Sequence, residues 1–103
     1  MSQIQNQWDE VTRIETELKQ KLVAMNIDWN DDGAMTQLAA ECKTFGSTDL
    51  QAAYQSHDRM HIVKAEFFAL VSLMLTTMEN AAGDDRDVHA GSVWKAFGRH
   101  LYA

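Results

Sequence analysis

Apolar side chains in the first quarter of the chain fall at Ile4, Trp8, Val11, Ile14, Leu18, Leu22 and Met25, in steps of four, three, three, four, four and three. A mean step of about 3.5 residues is the repeat of a helix with one narrow apolar seam. A first helix is therefore predicted from Ser2, as N-cap, to about Met25, roughly 35 Å long at about 1.5 Å per residue. On its polar face Asp9–Arg13, Glu15–Lys19 and Glu17–Lys21 each set an acid four residues before a base, a pairing that contributes about 0.3 kcal/mol.

The helical pattern resumes after Asn30-Asp31-Asp32-Gly33, with Met35, Leu38, Cys42 and Phe45 on one stripe from about Ala34 to Phe45. Gly46 follows where a left-handed C-cap is expected. Thr48 and Gln51 have capping-box spacing and open the next helical stretch. Leu50, Ala53, Tyr54, Met60, Val63, Phe67, Leu70, Met74, Met78 and Ala81 continue it. A last helix begins near Asp87 and uses Val88, Trp94, Phe97 and Leu101. No sustained alternation of apolar and polar positions suggests a strand. Proline is absent, and Gly33, Gly46 and Gly83 sit between the periodic segments. The fold class is all-α: a small four- to five-helix bundle.

Length constrains the third segment. An unbroken helix from Asp49 to Ala82 would run about 50 Å, against about 18 Å for the second helix. Gly46-Ser47-Thr48 would then have to bridge roughly 30 Å, and three residues reach about 10 Å. A break near Gln55–Ser56 resolves this, with Ser56 capping an apolar central helix of about residues 57–82. The alternative keeps the long helix and pairs its overhang with a second chain. From Phe67 to Met78 the sequence FFALVSLMLTTM carries no charge, and a helix apolar on every side must be surrounded. Either it is central in a monomer, or a homodimer covers one face through Phe67, Phe68, Val71 and Leu75.

At 103 residues one domain, 1–103, is expected. Apolar residues at 46% and charged residues at 23% exclude global disorder. No run of 18 apolar residues occurs, and the N-terminus lacks the basic and apolar regions of a secretory signal, so neither a membrane span nor export is expected. A single cysteine, Cys42, suits a reducing cytoplasm. The net charge of −6 argues against direct nucleic-acid binding and against an anionic membrane surface.

Four features carry candidate chemistry. His57 and His61, four apart on a helix, would face the same way, which suits two imidazoles on a divalent transition metal. With Asp58 between them they echo the HExxH pattern, but the acid is a methylene short and no third ligand follows at a usual spacing. Asp28, Asn30, Asp32 and Gly33 match the first half of a calcium-binding loop, yet its twelfth position is Ala39, so helix capping by Asp31 or Asp32 explains these acids better. In an up-down bundle Asp28, Asp31 and Asp32 would share one end with Asp84, Asp85 and Asp87, as caps or as a docking surface for a basic partner. Trp29, flanked by polar residues, is a candidate contact for that partner. Cys42, on the stripe of the second helix, reads as a buried structural thiol. Gly91 and Gly98, seven apart, suggest a close helix approach. Phosphate-binding glycine loops, GxSxG and CxxC do not occur.

No catalytic set emerges. The expected function is non-catalytic protein–protein interaction by a small acidic cytoplasmic protein, as adaptor, chaperone, inhibitor or antitoxin-like partner. The alternative is a metal- or cofactor-binding bundle that uses His57 and His61.

Overall fold

A computed structural model describes residues 3–83 and 91–101, with the side chains of 9–46, 48–80 and 91–101. Five helices make up the described chain: α1 (Gln3–Ala24), α2 (Asp32–Lys43), α3 (Ser47–Ser56), α4 (Arg59–Gly83) and α5 (Ser92–Leu101). The all-α class is as predicted, and the segment after Gly46 is two helices rather than one.

Local hydrogen bonds explain each boundary. α1 ends because Asn26 turns left-handed at φ 58°, which lets Ile27 N–H reach Leu22 O at 2.9 Å and Asn26 N–H reach Val23 O at 3.0 Å. Asparagine tolerates that conformation, and the paired bonds satisfy carbonyls that the helix end leaves open. Asp31 caps α2, its Oδ1 accepting from Ala34 N–H at 3.1 Å. Gly46 is not the left-handed C-cap expected of it. Thr44 closes α2, and Gly46, extended at φ −131° and ψ 174°, is the N-cap of α3. The Thr48/Gln51 box is likewise replaced: Asp49 Oδ2 accepts from Gly46 N–H at 2.8 Å, so α3 opens two residues earlier than that box would place it.

The break between α3 and α4 falls at His57–Asp58 instead of Gln55–Ser56. His57 takes the left-handed position at φ 58°. Ser56 Oγ donates back to Ala53 O at 2.6 Å and accepts from Asp58 N–H at 3.2 Å. The cap of α4 is Asp58, whose Oδ1 accepts from Met60 N–H at 3.0 Å and His61 N–H at 3.3 Å.

α1 and α4 form the long pair of the bundle, α5 packs on α2 and α1, and α3 lies on α4. Val11, Ile14, Leu18, Leu22 and Met25 are all buried, so the described part of the first apolar seam faces the core as its spacing predicts. They meet Met35 and Leu38 of α2, Val63, Phe67, Phe68, Val71 and Met74 of α4, and Val93, Trp94 and Phe97 of α5. An aromatic string crosses this interior: Phe45–Phe68 with centroids 5.2 Å apart, Phe68–Phe67 at 6.0 Å, Phe67–Phe97 edge-on at 5.2 Å and Phe97–Trp94 at 6.2 Å.

The three surface pairs expected along α1 give way to other partners. Arg13 bonds Glu10 at 2.6 Å and Glu17 at 2.9 Å, Lys21 reaches Glu66 of α4 at 3.3 Å, and Lys19 stands 5.4 Å from the centre of the Trp29 ring. Glu15 makes a contact that no local rule contains. Its Oε2 and Oε1 accept from Val93 N–H and Trp94 N–H, both at 2.9 Å, and so cap α5 from 78 residues away. Gly91 permits this, since a Cβ there would lie 2.8 Å from Glu15 Cδ and closer still to Oε2. Gly91 is therefore needed beside a carboxylate, before the helix starts. Gly98, by contrast, is buried inside α5.

α4 is not encircled, although its sequence asks for it. Val63, Phe67, Phe68, Val71 and Met74 are buried, while Ser72, Leu73 and Thr76 face solvent. Arg59–Asn80 is also long and apolar enough to cross a membrane by length and composition, with mean hydropathy 1.4 and a third of that window buried. The expectation that no segment has this property is corrected: Ser72, Thr76 and Thr77 interrupt the apolar run without adding charge.

Candidate functional site

The predicted site residues are dispersed. His57 occupies the left-handed junction after α3, and His61 stands in the first turn of α4. The common helical face on which a two-histidine metal site depends is therefore broken between them. His61 lines a depression of about 250 Å³ with Glu41, Thr44, Asp49 and Lys64, in which Lys64 Nζ already binds Glu41 Oε1 at 3.1 Å. Among the described residues no three His, Cys, Asp or Glu side chains converge as a metal's ligands would.

The acids after α1 are engaged locally. Asp28 Oδ1 accepts from Asn30 N–H at 2.9 Å, Asp31 caps α2, and Asp32 lies 3.2 Å from His100 Nε2 and 3.9 Å from Arg99. The C-terminal turn of α5, with its two basic side chains, thus meets this acidic turn. Asp84, Asp85 and Asp87 lie outside the described residues. Trp29 is half-buried against the core and covered by the Lys19 ammonium. Phe67, Phe68 and Val71, expected at a dimer seam, are buried in the chain's own interior. Leu75 alone of that set remains partly exposed, while still packing against that interior.

His100 forms a second unexpected cluster. Its Nδ1 is 3.1 Å from Thr36 Oγ1, completing an acid–imidazole–hydroxyl series with Asp32. Asp32 and Thr36 are one turn apart on α2, so a single imidazole spans both and pins α5 to α2. The described depressions lie elsewhere on the molecule. Among the described residues no polar or charged side chain is buried. A catalytic group gains its perturbed reactivity largely from burial and fixed neighbours; here the His100 side chain is 15% exposed, but its partners Asp32 and Thr36 stand in solvent.

What the structure does bring together is apolar. A depression of about 410 Å³ is lined by Cys42, Phe45, Leu50, Phe68, Ala69 and Leu75, on one side of α3. On the other side, one of about 290 Å³ is lined by Leu50, Tyr54, Ala69, Leu70 and Leu73, with Glu17, Lys21 and Glu66 at its edge. Leu50 and Ala69 belong to both, so the two grooves flank a single bar of chain. Tyr54 and Leu73 are 46% and 40% exposed on this face, high values for large apolar side chains. Tyr54 O–H donates to Glu66 Oε2 at 2.9 Å, and that bond to a carboxylate raises the phenol above its ordinary value near 10. Cys42 is half-buried rather than the buried thiol expected of it, and this partial burial raises the thiol above 9.0, so it is protonated at neutral pH.

Helical spacing alone does not reveal this face: Leu50, Tyr54 and Leu70 fall on the apolar series of the segment and only Leu73 lies off it, and the clue was the surplus of apolar positions in FFALVSLMLTTM. Compared with protein-family models, with curated proteins and with solved structures, the chain matches none.

Proposed function

We propose that this chain is a non-catalytic protein-interaction module of the cytoplasm, which docks an apolar helix of another protein on the outer face of α3 and α4. The observation that carries the reading is the pair of grooves meeting at Leu50 and Ala69, with Tyr54 and Leu73 exposed beside them. Aromatic and aliphatic side chains around an apolar trough are what an amphipathic helix uses for docking. Glu17, Glu66, Glu41 and Asp49 outnumber Lys21 and Lys64 around the depressions, and the net charge is −6. Both favour a partner whose apolar ridge has basic flanks, with charge setting the association rate and the choice of partner. The unpaired Cys42 thiol is compatible with a reducing compartment.

Photo-crosslinking from position 73 in cells, with position 95 on α5 as control, tests this. One reproducible partner from position 73 and none from 95 is the expected result. Equal capture at both positions, or none at 73, ends the proposal. Capture of a second copy of the chain at 73 turns the face into a homodimer seam.

A further inference from the structure

We infer that α3 is a strap that opens from α4 as a unit while the rest of the bundle stays folded. Of its described side chains only Ala53 is buried. None of the described α3 side chains belongs to the continuous core, nor to the partly buried side chains packed against it. α4 is the helix it rests on.

Its ends are self-sufficient. Gly46 N–H is satisfied by Asp49 within α3 itself, and Ala53 O is satisfied by Ser56. His57 N–H bonds Tyr54 O at 3.4 Å. Lifting α3 therefore leaves these terminal bonds intact. One described side-chain hydrogen bond ties α3 to another helix, Tyr54 O–H to Glu66 Oε2. Few buried apolar contacts together with exposed hydrogen bonds are the marks of a segment that opens below the global unfolding free energy. The chain on either side supplies the joints: extended Gly46 before α3 and left-handed His57 after it.

Opening has a defined consequence for the surface. The grooves on the two sides of α3 share Leu50 and Ala69. With the strap raised they merge into one trough along α4, from Phe68 and Ala69 to Leu73 and Leu75. The use of that trough for docking rests on the function proposed above; the opening itself does not.

Native-state hydrogen exchange of the whole chain, read by mass spectrometry without any partner, tests the opening separately from the docking. Amides of residues 50–55 should exchange on the order of 100-fold faster than central amides of α1 and α4, and independently of low denaturant concentrations. Tyr54→Phe should speed them a further three- to tenfold or so, the effect of one hydrogen bond, and leave α1 and α4 unchanged. Exchange of α3 in step with α4, or equal acceleration of both in the variant, overturns the proposal. So does a complete lack of protection in α3, which would mean that it never docks.

Discussion

α3 and α5 are both ten residues long, and the bundle treats them in opposite ways. α5 buries Val93, Trp94, Ala96, Phe97 and Gly98, whereas α3 buries Ala53. α5 is fastened from outside at each end, by Glu15 at its N-terminal amides and by Asp32 and Thr36 through His100. α3 makes its own caps and leans on one tyrosine. A short helix has little stability of its own, since nucleation is costly and isolated helices of this length are marginal. Its standing in the fold is therefore set by what it buries and what ties it down. By that measure α5 is part of the core and α3 is an attachment.

The sharpest way to break this contrast is to truncate an anchor in each helix. Phe97→Ala should lower unfolding stability by about 3–5 kcal/mol, the usual cost of removing a fully buried aromatic side chain. Urea titration would show a lower midpoint at an unchanged slope. The next largest effect should come from the remote cap. Glu15→Ala should cost about 1–2 kcal/mol, as the loss of an N-cap does. Gly91→Ala should cost a similar amount by displacing the carboxylate, and little more when Glu15 is already alanine. A double-mutant cycle in which the two losses add fully would separate Gly91 from Glu15.

A smaller effect is expected on the other side of the comparison. Leu50→Ala should change global stability by less than about 1 kcal/mol, since the side chain is only partly removed from water. A loss equal to that of Phe97→Ala would make α3 part of the core. The smallest effect concerns Cys42, in the groove wall next to α3. Its folded-state value is raised, so the proton is held more tightly in the folded chain than in the unfolded one. The resulting stability is present below pH 9 and is lost as pH rises past it. The wild type should therefore lose stability relative to Cys42→Ala between pH 8 and pH 10, as followed by thermal melts at each pH.

The parts of this molecule that could be read from its residues are those that depend on near neighbours. The seam from Val11 to Met25, the cap at Asp31 and the necessity of a break before α4 all follow from spacing or chain length. The misplacements were also local in kind. Gly46, expected to be left-handed after α2, is extended instead, and the left-handed residues are Asn26 after α1 and His57 after α3, polar side chains that tolerate that conformation when the flanking bonds require it. Glu15 was assigned to Lys19, four residues on, and instead caps a helix almost a chain length away. The outer face of α4 could be foreseen as a surplus of apolar residues, but not as a pair of grooves, since the grooves exist only where α3 crosses it.

Sequence alone determined that this protein is all-α and how its long first helix faces the core. These follow from helical periodicity and residue chemistry, which act within a few positions along the chain. Tertiary structure decided which apolar positions of α4 are spent inside and which remain outside, that His57 and His61 sit on separate segments, and that α5 is clamped while α3 is not. Such choices depend on which helix lies against which, and the free energy that settles them comes from contacts between residues dozens of positions apart.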